Sequence, residues 1–212
     1  MSQASTPTRF IVFEGGEGAG KSTQVERLAE ALLARGEDVV TTREPGGAPG
    51  AEAIRNLLVS GDTARWSPEA EALLINAARA DHLERTIRPA LVRGQWVICD
   101  RFADSTMAYQ GYGMGIDRAW LEQLRQRVVR DTEPGLTLIF DLPVAVGLGR
   151  AVASQRYERM GRDFHERLNG AFLEIAASKD GLRRTVIDAG RTQDEVARQV
   201  LDAVLAVFGL KA

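Results

Sequence analysis

The chain is 212 residues long, 44% hydrophobic and 26% charged, with a formal net charge of −2. That length suits one domain with a sizeable core, and the balance of residues excludes a disordered chain. A net charge so near zero supplies no bulk field for nucleic acid or anionic lipid, so neither is expected as a partner and any positive site must be built locally.

In chain order, residues 9–14 (RFIVFE) are a short apolar, β-rich run that predicts a buried strand. Residues 21–35 predict a helix closed by Gly36. EDVVTT predicts a second strand, REPGGAPG a loop, and AEAIRNLLVS a helix ending near Gly61. Ser67, Pro68 and Glu69 then open a long helix with a capping hydroxyl, a proline where its missing N–H costs nothing, and an acid in the first turn. Its stripe Leu73, Ala77, Ala80, Leu83, Ile87 and Leu91 reads as core, with a kink or break expected at Pro89 and an end at Gly94. QWVICD predicts a third strand, RAWLEQLRQRVVRD a helix, LTLIFDL a fourth strand, and a further helix begins near Val144. The arginine-dense SQRYERMGRDFHERL interrupts the regular pattern, before a fifth strand (RRTVID) and a closing helix (TQDEVARQVLDAVLAVF). Strands with continuous apolar runs, alternating with helices, imply a parallel sheet covered on both faces in one α/β domain spanning 1–212.

The single cysteine, Cys99, lies within the apolar run WVICD and reads as a small buried hydrophobe; no intrachain disulfide can form, which fits a reducing compartment. The segment MSQASTPTR lacks the apolar centre of a secretion signal, and no apolar run is long enough for a membrane-spanning helix, so a cytoplasmic protein with no membrane partner is expected.

Residues 15–22 (Gly15, Gly16, Glu17, Gly18, Ala19, Gly20, Lys21, Ser22) fit the P-loop pattern G-x-x-x-x-G-K-[ST], with the predicted strand before it and the predicted helix after it. Glycines let successive backbone N–H groups turn inward around a phosphate, and the helix N-terminus adds its partial positive charge. Lys21 would reach the β- and γ-phosphates, and the Ser22 hydroxyl would bind Mg²⁺. Two classes then compete: a kinase that passes the γ-phosphoryl to a small molecule, and a GTPase or ATPase that hydrolyses it. A guanine-reading N-K-x-D motif is absent from the sequence. CDRFADSTMAYQGYG, at the end of the third strand, has the makings of an acceptor site. Asp100 would lie at the carboxyl edge of the sheet, where it can hold Mg²⁺, and Arg101 can fork onto an acceptor phosphate.

The combination FEGGEGAGKST, TREPGG, DRFADSTMAYQG and DLPVAVGLGRA, in this order across residues 9–208, resembles the thymidylate kinase family, of the bacterial type with lid arginines. The resemblance implies a P-loop nucleoside monophosphate kinase fold with a five-stranded parallel sheet. It also implies Mg²⁺ and ATP on the donor side, dTMP as acceptor in the route to dTTP, and a homodimer. Carried over residue by residue, it gives Arg101 the dTMP phosphate and has Tyr109 and Gln110 line the deoxyribose and base pocket. Ser105 and Thr106 are secondary candidates there. Arg79 would read the thymine O4, with Ile75 one turn before it where many relatives carry a stacking phenylalanine. Arg43 and Glu44 would close one wall. Glu17 stands where other relatives carry an arginine, so charge for the moving phosphoryl must come from a lid at about 153–164, with Arg156 and Glu158 matching the lid pattern better than Arg159 or Arg162. Catalysis would then rest on Lys21, Arg101, Glu17 and Arg156, by direct in-line transfer with no covalent intermediate. His82 and His165 are not expected to be catalytic. The alternatives are another nucleoside monophosphate kinase, of the CMP, UMP or GMP type, and a nucleotide-binding regulatory protein without turnover.

Overall fold

Strands β1 (Phe10–Gly15), β2 (Val39–Arg43), β3 (Trp96–Asp100), β4 (Leu136–Asp141) and β5 (Arg184–Asp188) pair in parallel in the order β2-β3-β1-β4-β5. The computed structural model describes residues 7–150 and 156–210. The helices are α1 (Lys21–Leu33), α2 (Pro49–Val59), α3 (Pro68–His82), α4 (Arg88–Val92), α5 (Ala103–Thr106), α6 (Arg118–Val129), α7 (Val144–Arg150), α8 (Arg162–Ala176) and α9 (Gln193–Phe208).

Central strands β1, β3 and β4 are almost wholly buried, whereas the edge strands β2 and β5 are partly exposed, as expected where helices cover both faces. The two-residue alternation of β1 divides the core. Ile11 and Phe13 face α1 and α9, with Leu138, Phe140 and Val200. Phe10 and Val12 face the opposite layer, with Leu83, Ile87, Val97 and Phe102. Chain reversal of the strand order at β1 creates the crevice where such sheets bind ligands, and the pairing Phe13↔Asp100 sets the ends of β1 and β3 side by side there.

All five predicted strands are present, and Ser67 caps α3 by accepting a hydrogen bond from the Ala70 N–H. Four expectations need correction. The long helix loses its regular ladder at a π-helical turn, Leu83–Ile87, one turn ahead of Pro89, because the proline ring collides with the carbonyl four residues earlier and the widened turn absorbs that clash. Leu73 and Ala77, read as core, face outward, Leu73 being 51% exposed. The face of α3 that is buried carries Glu71, Ala72, Ile75, Asn76, Ala78, Arg79 and His82, where polar groups find partners inside the protein. The arginine-dense segment is not irregular throughout: residues 151–155 lie outside the described residues, but α8 begins at Arg162, and that arginine is an exposed partner of Glu166. Residues 103–113, where the sequence pattern predicts no element, form α5 and a π-helical turn, Met107–Gly113.

Candidate active site

The glycine loop leaves β1 and turns into α1 beneath a cleft of about 370 Å³. Close approach dictates its composition. Gly18 has φ +68°, and a Cβ there would lie 2.1 Å from the Gly147 carbonyl oxygen; a Cβ on Gly147 would in turn lie 2.4 Å from the Glu17 carbonyl oxygen, so loop and α7 touch backbone to backbone. Lys21 is buried, and its ammonium donates to the carbonyls of Gly15 (3.1 Å) and Gly16 (2.7 Å). Burial, with Arg101 nearby, brings its pKa down to about 8.

At the end of the loop, Ser22 Oγ donates to Asp100 Oδ2 at 2.7 Å, while Asp100 Oδ1 is buried with no hydrogen-bond partner among the described residues. One hydroxyl and one carboxylate with a spare oxygen suit Mg²⁺, which takes few protein ligands and completes its shell with water and phosphate.

Arg101 follows Asp100 with φ +70°, a conformation seldom adopted by a side-chain-bearing residue. Its guanidinium donates to the Gly15 carbonyl (2.9 Å) and to Glu17 Oε1 (2.9 Å), and it lies over the Tyr109 ring. The Tyr109 hydroxyl donates to the same Glu17 oxygen at 2.7 Å. Burial alone would raise the Glu17 pKa, but the charges of Arg101 and Lys21 outweigh it and hold the carboxyl at about 2. Beneath these groups, buried Glu14 accepts from the backbone N–H groups of Phe102 (2.8 Å) and Ser105 (3.0 Å) and from Ser105 Oγ (2.5 Å). It thereby fastens the start of the 103–113 segment to β1. Burial, with the charge of Asp104, lifts the Glu14 pKa to about 7 despite those donors.

Arg79 is 2% exposed yet lines the cleft. Nε donates to Glu44 Oε2 (2.7 Å), Nη1 to Asn76 Oδ1 (3.2 Å), and Nη2 to the Phe102 carbonyl (2.9 Å) and Thr106 Oγ1 (2.9 Å). A guanidinium has five N–H groups, so one on Nη1 remains. Glu44 is held from its other side by His82 (3.1 Å), which in turn meets Thr42 Oγ1 (2.7 Å). Ile75, Ser105, Thr106 and Gln110 line the same cleft, and Arg43 lines it while paired with Glu52 at 3.1 Å.

The structure thus brings the P-loop, Asp100, Arg101, Arg43, Glu44, Ile75, Arg79, Ser105, Tyr109 and Gln110 to one cleft. Arg156 stands apart from that group. It is 1% exposed, with Nη1 2.5 Å from Glu71 Oε2, and Nη2 donates to the Thr63 carbonyl at 2.9 Å. Its neighbours Tyr157 and Glu158 line the cleft instead. Sequence reasoning missed Glu14, Glu71, the support role of His82, and Arg55, which lines the cleft and donates to the Pro45 carbonyl at 2.7 Å. It also missed Arg150 and Arg191, which flank Gly18, Gly20 and Thr23 on the donor side. Gly147, three residues before Arg150, allows α7 to press on the loop and was a usable signal for that arginine.

Comparison with known proteins bears on the family and the fold. The family model described as thymidylate kinase matches residues 13–200. A thymidylate kinase of Caulobacter vibrioides is 55% identical over 95% of this chain and 98% of its own length. One from Dinoroseobacter shibae is 51% identical over 92% and 95%, respectively. Among solved structures, thymidylate kinase from Ehrlichia chaffeensis superposes with a TM-score of 0.77 at 35% identity, covering 92% of this chain and 97% of that one. The chain belongs to the thymidylate kinase family.

Proposed function

We propose that the two sides of this cleft divide the reaction of the family, phosphorylation of dTMP to dTDP by ATP, between the glycine loop and the Arg79–Arg101 wall. ATP lies along Gly15, Gly16, Glu17, Gly18, Ala19, Gly20, Lys21 and Ser22, with backbone N–H groups and Lys21 on its phosphates. Arg101 grips the dTMP phosphate, and the acceptor oxygen attacks in line. The observation that carries the reading is the adjacency of both phosphate-binding elements: Arg101 donates to the Gly15 carbonyl at 2.9 Å, so the two substrates meet end to end. Ser22 and Asp100 would hold Mg²⁺, which would neutralise charge on the phosphates.

Thymine lies against Ile75, with the spare N–H of Arg79 on O4, and Tyr109 bounds the sugar. Glu17 keeps Arg101 and Tyr109 aligned, and Arg43 and Glu44 form the remaining wall. Arg150, which flanks the loop beside Gly18 and Gly20, is a further candidate source of charge for the moving phosphoryl; Arg156, near the N-terminal end of the proposed lid, about 153–164, is held to the body of a single domain by Glu71 and the Thr63 carbonyl. Outward-facing Leu57, Leu73 and Ala77 support a homodimer through α2 and α3. A cytoplasmic setting suits the substrates, and no helix among the described residues is long and apolar enough to cross a membrane. The test is ADP release with Mg²⁺ and ATP against dTMP, dUMP, dCMP, CMP, UMP and GMP. A clear preference for dTMP is expected; equal rates with CMP or GMP would overturn the assignment of Arg79 and Tyr109.

A further inference from the structure

Glu71, at the start of α3, is 0% exposed, and its two oxygens meet different groups. Oε1 accepts from Gln110 Nε2 at 2.7 Å, and Oε2 lies 2.5 Å from Arg156 Nη1. Gln110 is itself fully buried while lining the cleft, and its Oε1 has no hydrogen-bond partner among the described residues. A carboxylate only accepts hydrogen bonds, so the Gln110 amide must turn its NH₂ toward Glu71. The opposite orientation would set two buried acceptors face to face without solvent. Arg156 supplies the counter-charge that a buried carboxylate requires. The amide is therefore oriented from behind, and its carbonyl oxygen is the atom left for a ligand.

Arg79 offers the cleft an N–H, and Gln110 offers it an acceptor. A ligand edge satisfying both carries a carbonyl next to an N–H, as the imide of a 2,4-dioxopyrimidine does. A 4-aminopyrimidine presents an amino group and a bare ring nitrogen, the wrong partner at each position. We propose that Glu71 is a positioning residue for base selection: it locks the Gln110 amide so that the cleft accepts an imide edge and rejects a 4-amino edge. This rests on the assignment of Arg79 and Gln110 to the base pocket.

The experiment is kcat/KM for dTMP, dUMP and dCMP in the full chain and in Glu71→Gln. Glutamine at 71 can donate as well as accept, which frees the Gln110 amide to turn. The dTMP and dUMP values fall together by about tenfold, one hydrogen bond's worth, while dCMP does not fall, so the dTMP:dCMP ratio narrows by about tenfold. KM for ATP stays within about twofold. A merely structural Glu71 would lower all three substrates by one factor, and that result overturns the proposal. Should the single variant not fold because Arg156 is left unpaired, the pair Glu71→Gln with Arg156→Met buries no lone charge and is read by the same ratio. In a Gln110→Met background, Glu71→Gln should leave the ratio within about twofold; a further tenfold change there would also overturn it. Equal wild-type turnover of dTMP and dCMP would remove the base-pocket assignment itself, whereas a wild-type preference for dTMP with an unchanged ratio in Glu71→Gln removes only the role of Glu71.

Discussion

Replacing Arg79 with lysine separates what this side chain does for the fold from what it does for the base. Lysine keeps a positive charge beside Glu44, so the buried carboxylate is not abandoned, but an ammonium on a flexible stem cannot reproduce the planar fork. Three contacts are lost: those to Asn76 Oδ1, the Phe102 carbonyl and Thr106 Oγ1. At about 1 kcal/mol each, this costs the fold about 2–3 kcal/mol. For a chain of this size that corresponds to a fall in Tm of roughly 5–10 °C, readable by thermal shift. The base loses a charge-assisted hydrogen bond to O4 worth about 1.5–3 kcal/mol, so KM for dTMP rises about 10- to 100-fold. KM for ATP should remain within about twofold, because Arg79 has no contact with the glycine loop and lies on the far wall. A coupled assay of ADP release at varied dTMP and varied ATP gives both constants. A variant that loses the expected Tm but keeps its KM for dTMP would refute the reading, leaving Arg79 a brace and nothing more. Equal rises in both KM values would point to a loosened cleft rather than a lost base contact.

Lys21→Ala should lower kcat about 10³-fold or more with the far-UV circular dichroism unchanged; retention of wild-type kcat would remove the glycine loop from the chemistry. Asp100→Asn should raise the Mg²⁺ concentration for half-maximal rate by about tenfold or more, and an unchanged Mg²⁺ titration would exclude Asp100 as a ligand. Against burial, the charges of Arg101 and Lys21 hold the Glu17 carboxyl down at about 2, well below the ordinary 4.5 of a glutamate. A carboxyl depressed in this way stabilises fully above about pH 4.5 and loses that contribution as pH falls toward 2. Partial exposure of the Arg101–Glu17 pair limits the effect to about 2–3 kcal/mol, so Glu17→Gln should flatten denaturant-measured stability across that window; identical pH profiles for variant and wild type would refute the pairing.

How much of this could be read from the chain depended on how local each device is. The glycine loop was legible because its geometry is contained in eight consecutive residues between a strand and a helix. Asp100 and Ser22 are 78 positions apart, yet their meeting followed from two strands ending at one sheet edge. Helix α3 misled. Periodicity counts apolar residues, and the buried face of this helix carries Asn76, bonded within the helix, together with Glu71, Arg79 and His82, each of which meets partners far along the chain. A stripe of leucine and alanine on the other side then looked more like core than the core did. The burial of Arg156 was illegible for the same reason. Density of charge suggests solvent, whereas Glu71, 85 residues earlier, and the Thr63 carbonyl make its burial tolerable.

These paired arginines also explain how a cleft for two polyanions can be assembled inside a chain of net charge −2. Free arginines facing one another would repel and wander, and each would lose about 2 kcal/mol of rotamer freedom when substrate arrived. Here Arg79 is neutralised by Glu44 and Arg101 by Glu17, with both guanidinium planes fixed by carbonyl acceptors. The pairing does not exhaust them. Arg79 keeps one N–H, and Arg101 has Nε and one N–H of Nη2 without a partner among the described residues. Ordering has therefore already taken place in the folded protein, and the donors that remain point where the fold holds them. Such preorganisation favours binding and transition-state charge alike, since little has to rearrange as the phosphoryl moves. The acidic residue in the glycine loop is then no oddity among phosphate-binding groups: it aligns the acceptor arginine and Tyr109 at once, from the loop that holds the donor.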